Sequence, residues 1–147
     1  MKIKVTENPE QAENEAHLLC RSADDDEIQR ALSLLCQLGI HLAGKKEGTT
    51  VPVNTEEVLY FESVDKKTFI CTETDVLETP LRLYMLEERL LNSSFFRASK
   101  NAIINLNKIA SLKPEFSGRM VATLSNNERI MISRQYLPTL KNKLLER

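Results

Sequence analysis

Between Val58 and Ile132 the chain is cut into short runs of strand-forming residues, each closed by a turn and interrupted by one brief helical stretch. This punctuation leaves no room for the long crossovers that parallel strands require, so it points to antiparallel pairing. Val58-Leu-Tyr-Phe-Glu-Ser-Val64 is rich in β-branched and aromatic residues, as strands are. Asp65-Lys66-Lys67 follows as a turn, Thr68–Thr72 as the return strand, and Asp75–Thr79 as a third strand after Glu73-Thr74. Thr79-Pro80 reads as a helix start, with Thr79 as cap and Pro80 in the first turn. The helix is expected over 80–91, carrying Leu81, Leu83, Leu86 and Leu90, and ended by Asn92-Ser93-Ser94.

The β pattern then resumes. Phe95–Ala98 and Ala102–Leu106 flank the polar Ser99-Lys100-Asn101, and Lys108–Leu112, Arg119–Leu124 and Arg129–Ile132 follow. Phe116-Ser117-Gly118 and Asn126-Asn127 connect them, the second as a hairpin turn because asparagine tolerates positive φ. Ser133 is placed to cap a last helix with Leu137, Leu140 and Leu144, and Pro138 makes its start irregular. Asn105 reads as a structural turn residue. The fold class expected is α+β, mostly β.

Ahead of this pattern the signals are weaker. Residues 2–6 alternate polar and apolar, as a half-buried strand does, and His17-Leu18-Leu19-Cys20 reads as a second strand. Asp24 with Glu27 three residues on fits a helix N-terminus. Ile28, Ala31, Leu32, Leu35 and Leu38 recur at helical spacing, which predicts a helix over about 26–38 ended by Gly39. Its apolar stripe can serve a core or a dimer contact. Residues 44–50 form a polar stretch, taken as the boundary between an N-terminal extension (1–50) and the main domain (51–147).

Charge separates the two parts of the chain. Residues 1–92 hold 10 Lys/Arg against 18 Asp/Glu, and residues 93–147 hold 10 against 3. The net charge of −1 therefore averages a strongly acidic part with a basic one. A basic part can attract a polyanion, or it can pack beside the acidic part.

No catalytic constellation stands out. Both histidines, His17 and His41, lie in the first third, and there is no serine-hydrolase elbow, zinc-protease motif or glycine-rich nucleotide loop. Glu87 and Glu88 are adjacent on a helix and point apart. Cys20, Cys36 and Cys71 form no CxxC pair and read as buried reduced thiols. No run approaches the roughly 18 apolar residues that span a bilayer, and the start of the chain has no signal-peptide core. A cytoplasmic, non-enzymatic protein without metal or cofactor is expected.

Four pieces in order carry a resemblance: Glu57-Val-Leu-Tyr-Phe-Glu-Ser63, Leu81–Leu90, Phe95-Phe-Arg-Ala-Ser-Lys-Asn-Ala-Ile-Ile-Asn-Leu-Asn-Lys-Ile109, and Ile132-Ser-Arg-Gln-Tyr136. Together they resemble the LytTR family of bacterial DNA-binding domains. The third piece, like the family's "F-x-R-x-H/S-K/R-S-x-I-V-N-x-x-x-I", is the most specific. The resemblance implies an elongated stack of small antiparallel sheets with a central short helix and a C-terminal helix. It also implies transcription control by loops that read the major groove, consistent with the missing helix-turn-helix pattern.

The family's DNA-contacting residues fall here on three loops: Lys66, Lys67 and Thr68; Ser99, Lys100 and Asn101; and Arg134 with Gln135. Some relatives have histidine where this chain has Thr68. The usual second arginine is replaced by Gln135, which can pair with adenine where arginine pairs with guanine. Arg97, Lys108 and Lys113 are candidate phosphate neighbours, although a strand arginine such as Arg97 can equally serve an internal ion pair. Residues 1–50 are too short for the phosphate-receiving domain of many members, so the likeness is to stand-alone members. Double-stranded DNA, a second copy of the chain and, by family analogy, a small membrane-protein inhibitor are the implied partners. A protein-binding module with a basic C-terminal surface is the alternative.

Overall fold

The structure is a computed structural model and describes residues 1–11, 14–37, 41–91 and 93–145. Two compact units emerge, Met1–Gly39 and Ile40–Arg147. In the first, the described residues form one helix, α1 (Asp26–Gln37). Asp25 is its cap: its carboxylate accepts from the Glu27 amide at 2.9 Å and its carbonyl from the Gln29 amide. The expected cap, Asp24, sits one residue too early; its own amide donates to the Ser22 hydroxyl. Gly39, the expected stop, lies outside the described residues.

The strands expected at 2–6 and 17–20 do not form. Ile3, Val5 and Leu19 are more than four-fifths exposed, and alternation creates a strand only when a neighbour completes the ladder and a core takes the apolar face. Cys20 is likewise exposed, which corrects its reading as a buried thiol, whereas Cys71 is buried. The Cys36 side chain lies outside the described set.

The second unit contains ten strands among the described residues: β1 (His41–Lys46), β2 (Thr49–Asn54), β3 (Val58–Val64), β4 (Lys67–Thr72), β5 (Val76–Thr79), β6 (Phe95–Ser99), β7 (Ala102–Asn105), β8 (Ile109–Pro114), β9 (Met120–Leu124) and β10 (Arg129–Ile132). α2 (Leu83–Arg89) follows β5, and α3 (Leu137–Leu145) closes the chain. The larger sheet has the order β2-β1-β5-β4-β3-β7-β6, the smaller β10-β9-β8, and the recorded pairings are antiparallel. The α+β, mostly β class holds, in two antiparallel sheets of seven and three strands.

The polar stretch 44–50 is a hairpin, not a linker. Glu47 (φ 51°) and Gly48 (φ 78°) form its two-residue turn, which matches the twist of the flanking strands. Pro52 is tolerated because β2 is an edge strand. Gly44 lets β1 approach β5, since a Cβ there would meet Leu77 Cβ at 2.9 Å. The second unit thus starts ahead of the expected 50/51 division.

A core packs on each face of the large sheet. On one, α2 inserts Leu83, Leu86 and Leu90 against Val58, Phe61, Phe95 and Ile103, with the Phe61 and Phe95 rings 5.4 Å apart. On the other, Leu59, Phe96, Ala98 and Ile104 meet Ala122, Leu124 and Ile132 of the small sheet and Leu140 of α3. Alternation assigns these faces: Phe95 and Phe96, or Ile103 and Ile104, are successive residues in different cores. Each large side chain so buried contributes about 1.5–3 kcal/mol.

α2 is shorter than expected. Thr79 belongs to β5, is buried and accepts from the Leu81 amide, so the helix begins only after Arg82, whose side chain makes no cap bond. Ser133 does not cap α3 either: a 3-10 turn, Arg134–Tyr136, intervenes. Asn105 is structural, as expected. Its amide donates to the Val58 carbonyl at 2.9 Å while its oxygen accepts from Ser94 and Asn107.

Candidate nucleic-acid interface

Two of the three expected loops meet at one end of the large sheet. β3 and β4 are joined by Asp65 (φ 49°) and Lys66 (φ 66°), a tight turn with both residues left-handed. β3 also pairs with β7, and the Ser63 amide donates to the Asn101 carbonyl at 2.8 Å. The β6–β7 turn therefore lies beside the β3–β4 turn. Lys66 and Lys67 are exposed there. Thr68 is only 3% exposed, paired with Ser63 on one side and Thr79 on the other. Its side chain is buried where a DNA contact was expected, because it shares with Ile70 the sheet face that α2 covers.

A β-bulge brings in the third loop. The β6–β7 register shifts between Arg97 and Ser99, which leaves the Ala98 carbonyl outside the ladder. That oxygen accepts from the Ser133 amide at 2.9 Å and from its hydroxyl at 3.3 Å. Arg134, Gln135 and Tyr136 are thereby held next to Ser99, Lys100 and Asn101, around an open concavity of about 540 Å³. Ser117 and Arg119, flanking the β8–β9 turn, complete its wall. Gly118 sits in that turn at φ 77°, left-handed backbone that favours glycine, with Arg134 packed close against it.

The wall carries three cations, Lys100, Arg119 and Arg134, the amides of Asn101 and Gln135, four hydroxyl-bearing residues, Ser99, Ser117, Ser133 and Tyr136, and, among the described residues, no carboxylate. An adjoining concavity of about 460 Å³ shares Ser99, Asn101, Arg119 and Ser133 and adds Glu62, Glu128 and Arg129. Arg119 bridges the two. Tyr60 lines the second; burial, with Glu128 alongside, pushes its hydroxyl well above the ordinary range. Cys71, in the strand beside it, is raised to about 11, chiefly by burial. Both groups remain protonated near neutrality.

Among the expected residues, Ser99, Lys100, Asn101, Arg134 and Gln135 converge. Lys66 and Lys67 stand on the adjacent turn. Arg97 belongs to neither wall: Nε donates to the Ser99 carbonyl at 2.7 Å, Nη2 to the Lys100 carbonyl at 2.6 Å, and Nη1 to Glu87 at 2.9 Å. Its guanidinium holds the turn's carbonyls and pairs with Glu87, the internal ion pair that a strand arginine can serve. Lys113 lies at the turn end of β8. Lys108 lies at the other end, about 17 Å of strand away. Arg119 was read only as the start of a strand. The available signal was its place as the cation just past Ser117-Gly118, a turn facing the Arg134 segment.

Comparison with known proteins agrees with this geometry. The family model of the LytTr DNA-binding domain matches residues 48–145. A sensory transduction protein LytT of Bacillus anthracis is 31% identical over 98 residues, 67% of this chain and 40% of that protein. An uncharacterized HTH-type transcriptional regulator of Staphylococcus aureus is 32% identical over 92 residues, 63% of this chain and 62% of that one. The chain thus spans less than two thirds of the length of these relatives. Among solved structures, the LytTr DNA-binding domain of a protein described as a methyl-accepting/DNA response regulator from Bacillus cereus superposes with a TM-score of 0.67 at 27% identity, covering 71% of this chain and 95% of that one. The chain belongs to the LytTR family of DNA-binding domains.

Proposed function

We propose that this protein is a transcriptional regulator that recognises a specific double-stranded DNA sequence by presenting three loops to the major groove. The observation that carries this reading is the convergence of Lys100, Arg119 and Arg134 with the amides of Asn101 and Gln135 on a wall without carboxylates. Cations supply the sequence-independent attraction to phosphate, and base edges are read by side chains with matched donors and acceptors. Lys100 and Arg134 suit guanine O6 and N7; Asn101 and Gln135 suit adenine N6 and N7. Lys66 and Lys67, on the neighbouring turn, extend the cationic contact along the backbone. With DNA as its target, the protein works in the cytoplasm. One module covers limited DNA surface, so two copies bind paired sites.

The test is a selection from random duplexes with the purified chain, followed by binding of Lys100→Ala to the winning sequence. A defined motif should emerge, and the substitution should weaken it by about 1–3 kcal/mol. Absence of any enriched motif at low salt would overturn the reading.

A further inference from the structure

α2 touches both reading turns without taking part in either. Leu83, Leu86 and Leu90 are buried in the core beneath it, at positions three and four residues apart that share one helix face. The helix is thereby anchored to the sheet. Just ahead of its first turn, Arg82 donates from Nη1 to the Lys66 carbonyl at 2.9 Å. Five residues on, Glu87 accepts from Arg97 Nη1, and Arg97 carries the Ser99 and Lys100 carbonyls on its other nitrogens.

We propose that α2 is the brace that fixes the relative position of the two DNA-reading turns, with Arg82 and Glu87 as positioning residues. Asp65 and Lys66 occupy left-handed backbone that non-glycine residues disfavour, so the β3–β4 turn needs an outside hold, and Arg82 supplies it. The β6–β7 turn contains a bulge, and its two carbonyls are gathered by a planar guanidinium fork. That fork is aimed by one carboxylate, Glu87. About 7.5 Å of helix rise separates the two holding residues, and a short, core-anchored helix keeps that spacing constant. Side chains on turns held in this way meet base edges without paying to order the turns first.

This inference rests on the DNA-reading function proposed above. The sign of one charge change separates it from a purely electrostatic role. Removing a negative charge near a DNA-binding face should strengthen binding to every duplex if charge alone acts.

The experiment measures affinity of the full chain, wild type, Glu87→Gln and Arg82→Ala, for the selected duplex and for a scrambled duplex of equal length, over a range of salt. The brace predicts that both variants lose affinity for the selected duplex: Arg82→Ala by about three- to tenfold, the net worth of one hydrogen bond, and Glu87→Gln by less, because the glutamine oxygen still accepts from Arg97 but without the charge. Scrambled-duplex affinity and the salt slope should stay unchanged. Tighter binding of Glu87→Gln to both duplexes, or an Arg82→Ala salt slope lower by about one, would overturn it in favour of bulk charge or direct phosphate contact. If the wild type itself fails to discriminate the duplexes, the DNA-reading function falls and the brace with it. If the wild type discriminates and both variants do so equally, the brace alone falls.

Discussion

The Ser133 amide donates to the Ala98 carbonyl at 2.9 Å, and this bond ties the segment carrying Arg134 to the turn carrying Lys100. The bulge at Arg97–Ser99 frees that carbonyl, so an irregularity in one strand becomes the attachment point for a loop from the other sheet.

Ser133→Pro isolates the bond. Ser133 already has φ −74°, which proline adopts without strain, and Ile132 before it is extended, as proline requires. The substitution removes the donor and leaves the backbone path intact. We expect a loss of about 1–3 kcal/mol in folding stability from the stranded carbonyl. A larger loss of DNA affinity than in Ser133→Ala is also expected, because the alanine variant keeps the amide. Urea denaturation and a binding titration on both variants check this; equal affinities would show that the bond does not position Arg134.

Arg119 and Thr68 exchange roles relative to the sequence expectation. Arg119→Ala should weaken binding about equally to every duplex and lower the salt slope by about one, the signature of a phosphate contact. Thr68→Val should leave affinity unchanged, since residue 68 is buried beneath the turn. Binding isotherms at several salt concentrations distinguish the two.

Asn105 holds the β7 end, the β3 start and the Ser94 segment together through one buried amide. Asn105→Ala leaves the Val58 carbonyl and the Asn107 amide without their partner. A destabilisation of about 2–4 kcal/mol follows from stranding buried polar groups, readable as a lower urea midpoint with an unchanged slope.

Burial raises the Cys71 thiol from 9.0 to about 11, with Glu62 and Glu128 adding to the effect and Tyr60 opposing it. The unfolded thiol ionises first as pH rises, so stability should be flat below pH 9 and fall between about 9 and 11. Cys71→Ala should flatten part of that fall, leaving the contribution of Tyr60, which burial shifts in the same direction. Native alkylation near neutral pH should label exposed Cys20 and spare Cys71; rapid labelling of Cys71 would contradict the buried assignment.

Much of the second unit was legible in the chain because its signals are local. Two-residue turns, alternating apolar residues and asparagine or glycine at positive φ act within a few residues. The strands from Val58 to Ile132 accordingly lie within a residue or two of their expected places. The same local rules failed at Ile3 and Val5, where alternation is present but no partner strand is. They failed again at Gly44–Thr50, where a polar composition hid a hairpin whose partner, β5, arrives some thirty residues later.

By itself, the sequence determined the antiparallel β character, the basic C-terminal part, the family and five of the residues that line the concavity. Only the tertiary structure decided which of the remaining polar residues face solvent. Thr68 went inside because it shares the α2-covered face of β4 with Ile70. Arg97 became a scaffold because a bulge turned two carbonyls toward it. Arg119 joined the wall because its turn, left-handed at Gly118, lies against Arg134. Each outcome depends on segments far apart in the chain, and pattern within a strand specifies two faces without saying what will cover them.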